Sequence, residues 1–143
     1  MLRRPEALLK PRKIKIFLEK YPDEETAEIA FSLLEKVAAA IVRIIGKDGF
    51  NALYARSLSL TAPTFPWLAA SVMTLQDDDM LALIKTSFVV QPPAEIRAAS
   101  SLLLTTFSDI LCRLVGDQLT ARILHDAFGG EIVEAIMGDH FES

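Results

Sequence analysis

Along most of the chain, apolar residues recur at the three- and four-residue spacing of an α-helix. No stretch alternates apolar and polar residues over the length of a strand, and the one β-rich run, Ser87-Phe88-Val89-Val90, is short. Ile14, Phe17, Leu18 and Tyr21 form a first apolar stripe. After Tyr21-Pro22, Asp23 is placed to cap a helix whose first turn carries Glu24 and Glu25, where acids suit the helix dipole. Ala30, Leu33, Leu34, Val37, Ile41, Ile44 and Ile45 then share one face, with Glu28, Ser32, Glu35, Lys36 and Arg43 off it. Gly46 is a natural stop. Phe50, Leu53, Tyr54, Ser57 and Leu58 mark one side of a shorter helix, which Pro63 and Pro66 end before another opens over roughly 66–75.

Gln91-Pro92-Pro93 is the clearest punctuation, and Pro93 suits the first position of a long helix running to Val115. Leu102, Leu103, Leu104, Phe107, Ile110, Leu111, Leu114 and Val115 cover much of its circumference. Arg97, Ser101, Thr105, Ser108 and Asp109 keep one narrow side polar, so this helix belongs at the centre of a domain. The pattern predicts one all-α domain over 1–143, a bundle of about seven or eight helices with long ones near 23–45 and 93–115.

An internal duplication is also legible. With Gly46 and Gly116 in register, Leu33 and Leu34 meet Leu103 and Leu104, Arg43 meets Arg113, and Ile41, Ile44 and Ile45 meet Leu111, Leu114 and Val115. With one residue skipped, Phe50 meets Leu119 and Ala52 meets Ala121. Two pseudo-repeats, 23–62 and 93–128, would each read long helix, Arg-apolar-apolar-Gly, short helix. Gly46, Gly116, Arg43 and Arg113 are then structural positions, and the two long helices are expected as central, antiparallel partners.

The pieces from Gly46 to Leu58, Phe65 to Leu68 and Val115 to Leu124 resemble segments of small all-helical bacterial proteins of uncharacterised function. The resemblance covers about half the chain and departs at Phe128-Gly129, where the similar proteins carry an aromatic followed by Pro. It implies a bacterial source and a helical fold, and it brings no activity with it.

Composition narrows the class. The 143 residues are 51% hydrophobic and 24% charged, which excludes intrinsic disorder. A single Cys excludes an internal disulfide and any multi-cysteine metal site. The longest uncharged stretch, 57–76, is long enough to span a bilayer, but Pro63 and Pro66 near its middle argue against a span. Lys10, Arg12, Lys13, Lys15 and Glu19 interrupt any apolar run after the basic start, so no secretory signal is expected and the cytoplasm is the default.

Charge is uneven. Residues 1–20 hold seven basic residues against Glu6 and Glu19, while the rest of the chain has a surplus of nine acids, which together give the net charge of −4. A basic amphipathic arm precedes an acidic body. Its apolar stripe favours docking on this body or on a partner subunit over binding nucleic acid or an anionic membrane, since the acidic body repels a duplex.

Candidate chemistry is sparse. Asp77, Asp78 and Asp79 offer hard oxygen ligands, but no calcium-loop spacing follows them. Cys112 would need a base, and His125 and His140 are the only histidines, so a buried structural thiol is the simpler reading. Glu131, Glu134, Asp139 and His140 lack the Glu-x-x-His element of a di-iron bundle. Arg56 and Arg122 stand in the short helices, where pairing with a nearby acid is the simpler expectation and a ligand-anion role stays open. There is no phosphate loop, nucleophile elbow or dinucleotide fingerprint. No catalytic, cofactor or metal site is expected.

Phe65-Pro66-Trp67-Leu68 either caps one end of the core or forms an aromatic anchor in an interface. The candidate interface residues are Ile14, Phe17, Phe65, Trp67 and Phe88. The reading that follows is a non-enzymatic protein-interaction or scaffold module acting as a homodimer, because so small a chain hides only part of so much apolar surface. The alternatives are a module binding a small molecule or lipid between the pseudo-repeats and, behind it, a nucleic-acid binder using the arm.

Overall fold

A computed structural model describes residues 8–68 and 80–137, and among these the regular structure is helical throughout. The helices are α1 (Pro11–Glu19), α2 (Thr26–Thr61), α3 (Met80–Val89), α4 (Pro93–Val115), α5 (Asp117–Phe128) and α6 (Gly130–Ile136), with a 3-10 turn at Asp23–Glu25 leading into α2. Asp23 does not cap α2 as its position suggests; the helix begins three residues later without a side-chain cap, and Asp23 instead accepts from the Arg97 guanidinium at 3.5 Å.

Helix α2 is two limbs. Gly46, at φ 84° and ψ 170°, breaks it into residues 26–45 and a returning limb of 47–61. Gly116 (φ 91°, ψ 162°) joins α4 to α5 in the same conformation, one that is essentially closed to residues with a Cβ. Each end of that junction is hydrogen-bonded: the Gly116 N–H donates to the Cys112 carbonyl (2.8 Å), and its own carbonyl accepts from the Thr120 N–H (3.1 Å). One residue thus ends one helix and begins the next without a capping side chain. Gly129 repeats the device between α5 and α6, outside either pseudo-repeat. The glycine shared by the two pseudo-repeats is therefore a general helix junction of this chain and carries less weight as a mark of duplication.

Helix α4 is central and packs on α1, on both limbs of α2 and on α5. Arg97 near its start meets Asp23, and Ile45 shares a groove with Arg113 and Leu114 near its end. The first limb therefore runs in the same direction as α4, contrary to the antiparallel expectation. The turn at Gly46 makes the returning limb the antiparallel neighbour: Phe50 and Tyr54 meet Phe107 edge to face, and Trp67, just past the limb, reaches back to Glu95.

The polar side of α4 is not a solvated face. Ser101, Thr105 and Ser108 are buried with Ser100. The Ser100, Ser101 and Thr105 hydroxyls each donate at 2.7 Å to the carbonyl four residues back, so small side chains admit close helix packing while their polar atoms stay satisfied. Helix α4 also has the length and apolar character of a membrane-crossing segment, a property that the central helix of a bundle shares.

Among the described residues, two buried hydroxyls, Tyr54 Oη and Ser108 Oγ, have no hydrogen-bond partner. Tyr54 sits 5.2 Å from Phe50 and 6.3 Å from Phe107 between ring centroids, and burial holds its phenol far above the ordinary range. Removing a buried, unpaired hydroxyl relieves a desolvation cost and loses no bond. Tyr54→Phe should therefore raise the stability by about 1 kcal/mol, read as a higher urea midpoint at unchanged slope. A lower midpoint would mean that the hydroxyl is paired in solution.

Candidate functional site

The arm meets the body through its own apolar stripe. Ile14, Phe17 and Leu18 are buried against α4 and α6, with Leu8 and Leu9 beside them. Leu9 bridges to Met137, the Lys10 N–H donates to the Ile136 carbonyl (3.2 Å), and Lys13 Nζ donates to the Met137 carbonyl (3.1 Å). The first described residues are thus tied to the last helix. Phe65 and Phe88 are also buried, and Trp67 lies half-buried between them, donating from Nε1 to Glu95 at 3.0 Å. Of the five candidate interface residues, Ile14 and Phe88 are fully buried and Phe17 and Phe65 are each only 8% exposed. Their stripes face this chain's own core, and Phe65 with Trp67 caps one end of it.

Ile16 on α1 and Val89 and Val90 beyond Phe88 are exposed, and the other exposed large apolar residues lie around the Gly46 and Gly116 turns and along the returning limb. Ile44 and Ile45 continue the stripe of the first limb by spacing, yet they are 53% and 41% exposed. The chain reverses at Gly46, so the last turn of that limb projects past its neighbours. Ile45 then lines one end of a groove of about 470 Å³ between the returning limb and the C-terminal part of α4. Leu53 and Leu60 form one wall and Ile110 and Leu114 the other; Leu60 is 50% and Leu114 63% exposed. That volume lies in the range of small-molecule sites, which are apolar with few polar groups.

Two cations border the groove. Arg56 projects from the returning limb and Arg113 from the last turn of α4, and neither makes a hydrogen bond or ion pair with a described residue. The repeat pattern assigns Arg43 and Arg113 a structural place at the helix junctions. Both are exposed, and neither braces a glycine turn; they sit on the limb faces turned away from the core. Arg122 lies on α5, outside the groove lining.

Cys112 is half-buried, and desolvation with the nearby Asp117 and Asp109 pushes its thiol up to about 11 despite a hydrogen bond from Thr120. It stays protonated near neutral pH and is a poor nucleophile. Its polar neighbours come from α4 and α5, and the exposed His125 is not one of them. Among the described residues no three His, Cys, Asp or Glu side chains come together as a metal site. Asp77, Asp78, Asp79, Asp139 and His140 lie outside the described residues.

The groove was only partly foreseeable. The sequence admits a pocket between the pseudo-repeats and an anion-binding role for Arg56. Its walls, however, come from segments about 60 residues apart, and no contiguous pattern announces their meeting. No protein-family model matches this chain, and neither a curated protein nor a solved structure matches it significantly.

Proposed function

We propose that this chain is a non-enzymatic binding module whose site is the groove between the returning limb of α2 and the end of α4. One observation carries this reading: Ile45, Leu60 and Leu114, three of the nine exposed large apolar residues among those described, leave their side chains in solvent around one concave surface. Exposed apolar surface gathered at a concavity marks a binding site more than scattered exposure does. The raised thiol of Cys112 agrees with a role apart from catalysis.

Binding of a neutral apolar fluorophore, N-phenylnaphthylamine, tests the site. Its emission should rise saturably with the protein, and Ala52→Trp should weaken it about tenfold or more. Ala52 is exposed and lines the groove, so the indole blocks the site at little cost to folding. Equal binding to both proteins would place the apolar site elsewhere.

Homodimerisation is the second reading, favoured by the exposure of Val42, Ile44 and Leu119 near the same end of the molecule as Leu114. Two copies facing each other across this rim would cover what one copy leaves open. Sedimentation at micromolar concentration should then show a dimer that Leu114→Lys dissociates, and a concentration-independent monomer would rule it out.

A further inference from the structure

We infer that the ligand of this groove is a single-chain amphiphile with an anionic head, a free acyl carboxylate, whose tail lies between the returning limb and α4 and whose head is held by Arg56 and Arg113. This rests on the groove being a binding site, and it adds the charge and shape of what binds.

The shape comes from the walls. Gly49, Leu53 and Leu60 follow one face of a single straight limb, with Ile110 and Leu114 opposite. From Gly49 to Leu60 the limb rises about 16 Å at 1.5 Å per residue. A wall of that length, lined along one face, accommodates an extended chain.

The charge comes from two guanidinium groups beside an apolar trough. The chain as a whole is acidic, at −4, and this excess falls on the part that follows residue 20. Acids are therefore plentiful, yet no described residue pairs with either Arg56 or Arg113. A planar guanidinium presents paired donors that match the two oxygens of a carboxylate, and beside apolar surface such a bond is screened less than in open water. A neutral amphiphile would leave both cations unused. A large polyanion would have to approach past the acidic body.

Decanoate and decanol separate the two layers of the argument, since they share a tail of the same order of length as the trough and differ in the head. Isothermal titration below their critical aggregation concentrations should show decanoate binding roughly tenfold or more tightly than decanol, in line with a charge-assisted hydrogen bond. Arg56→Gln/Arg113→Gln should remove that preference, so that the variant binds decanoate and decanol with similar affinity. Both residues are exposed, so the double variant should melt like the wild type. Equal affinity for the two probes would overturn the anionic head while keeping the apolar groove. Binding of neither would overturn the groove itself. Preference for phosphatidylglycerol vesicles, with no binding of free decanoate, would replace a soluble acid with a membrane surface and so refute this assignment.

Discussion

Removing residues 1–20 should leave a chain without a cooperative unfolding transition at room temperature. Leu8, Leu9, Ile14, Phe17 and Leu18 all lie within this segment and are all buried. At about 1.5–3 kcal/mol for each fully buried apolar side chain, their loss is of the same order as the whole stability of a small domain. The loss is not confined to the arm, because α4 and α6 would turn the faces that α1 covers into solvent. The carbonyls of Ile136 and Met137 would also give up their bonds to Lys10 and Lys13. Circular dichroism should show reduced helicity and a broad, sloping melt for the truncated chain.

A companion variant separates packing from charge. Arg12 and Lys15 are exposed on α1, so Arg12→Gln/Lys15→Gln should change stability by less than about 0.5 kcal/mol. A truncated chain that melts like the full one, alongside loss of salt-sensitive DNA binding on neutralising the arm, would reassign the arm to nucleic acid.

That arm shows what periodicity can deliver. The spacing of Ile14, Phe17, Leu18 and Tyr21 gives the covered face of the arm, and Phe50, Leu53, Tyr54, Ser57 and Leu58 that of the returning limb; all are buried except Tyr21, which is partly so. Pro93 and the glycines placed the helix ends. Each of these is a local property, set within one or two turns. Errors begin where a neighbour decides. Ile44 and Ile45 have the right spacing for the core, but the chain turns at Gly46, so Ile44 stays 53% exposed and Ile45, against Gly49, 41% exposed. Ser101 and Thr105 look solvated in sequence, yet a hydroxyl that bonds its own helix can be buried as readily as an alanine of similar bulk. Direction failed for the same reason: a stripe tells which face is covered and is silent on which way the covering helix runs. The groove compounds all three, since it depends on the turn, on the exposed residues before it and on a helix far along the chain.

Adjacent glycines at the start of α6 should respond to the same substitution with opposite signs. Gly129 sits at φ 85° and ψ 162°, while Gly130 is the first residue of the helix with an ordinary, negative-side φ. A Cβ at either position would meet nothing within 4 Å, so neither substitution creates a clash with a neighbour. What remains is the backbone. Alanine at 129 must hold a conformation that costs on the order of 1–3 kcal/mol, or else shift the junction and strain the bonds from Gly129 N–H to His125 and from Val133 N–H to Gly129. Those bonds position Val133 and Ile136, which are buried where α6 meets α1, so relaxation would loosen the arm as well. Alanine at 130 instead removes unfolded-state freedom that glycine must give up on folding, which stabilises by about 0.4–1 kcal/mol at a compatible site. Urea denaturation of Gly129→Ala and Gly130→Ala should therefore move the midpoint in opposite directions, with the larger shift at 129. Two shifts of the same sign would mean that the junction does not hold this backbone in solution.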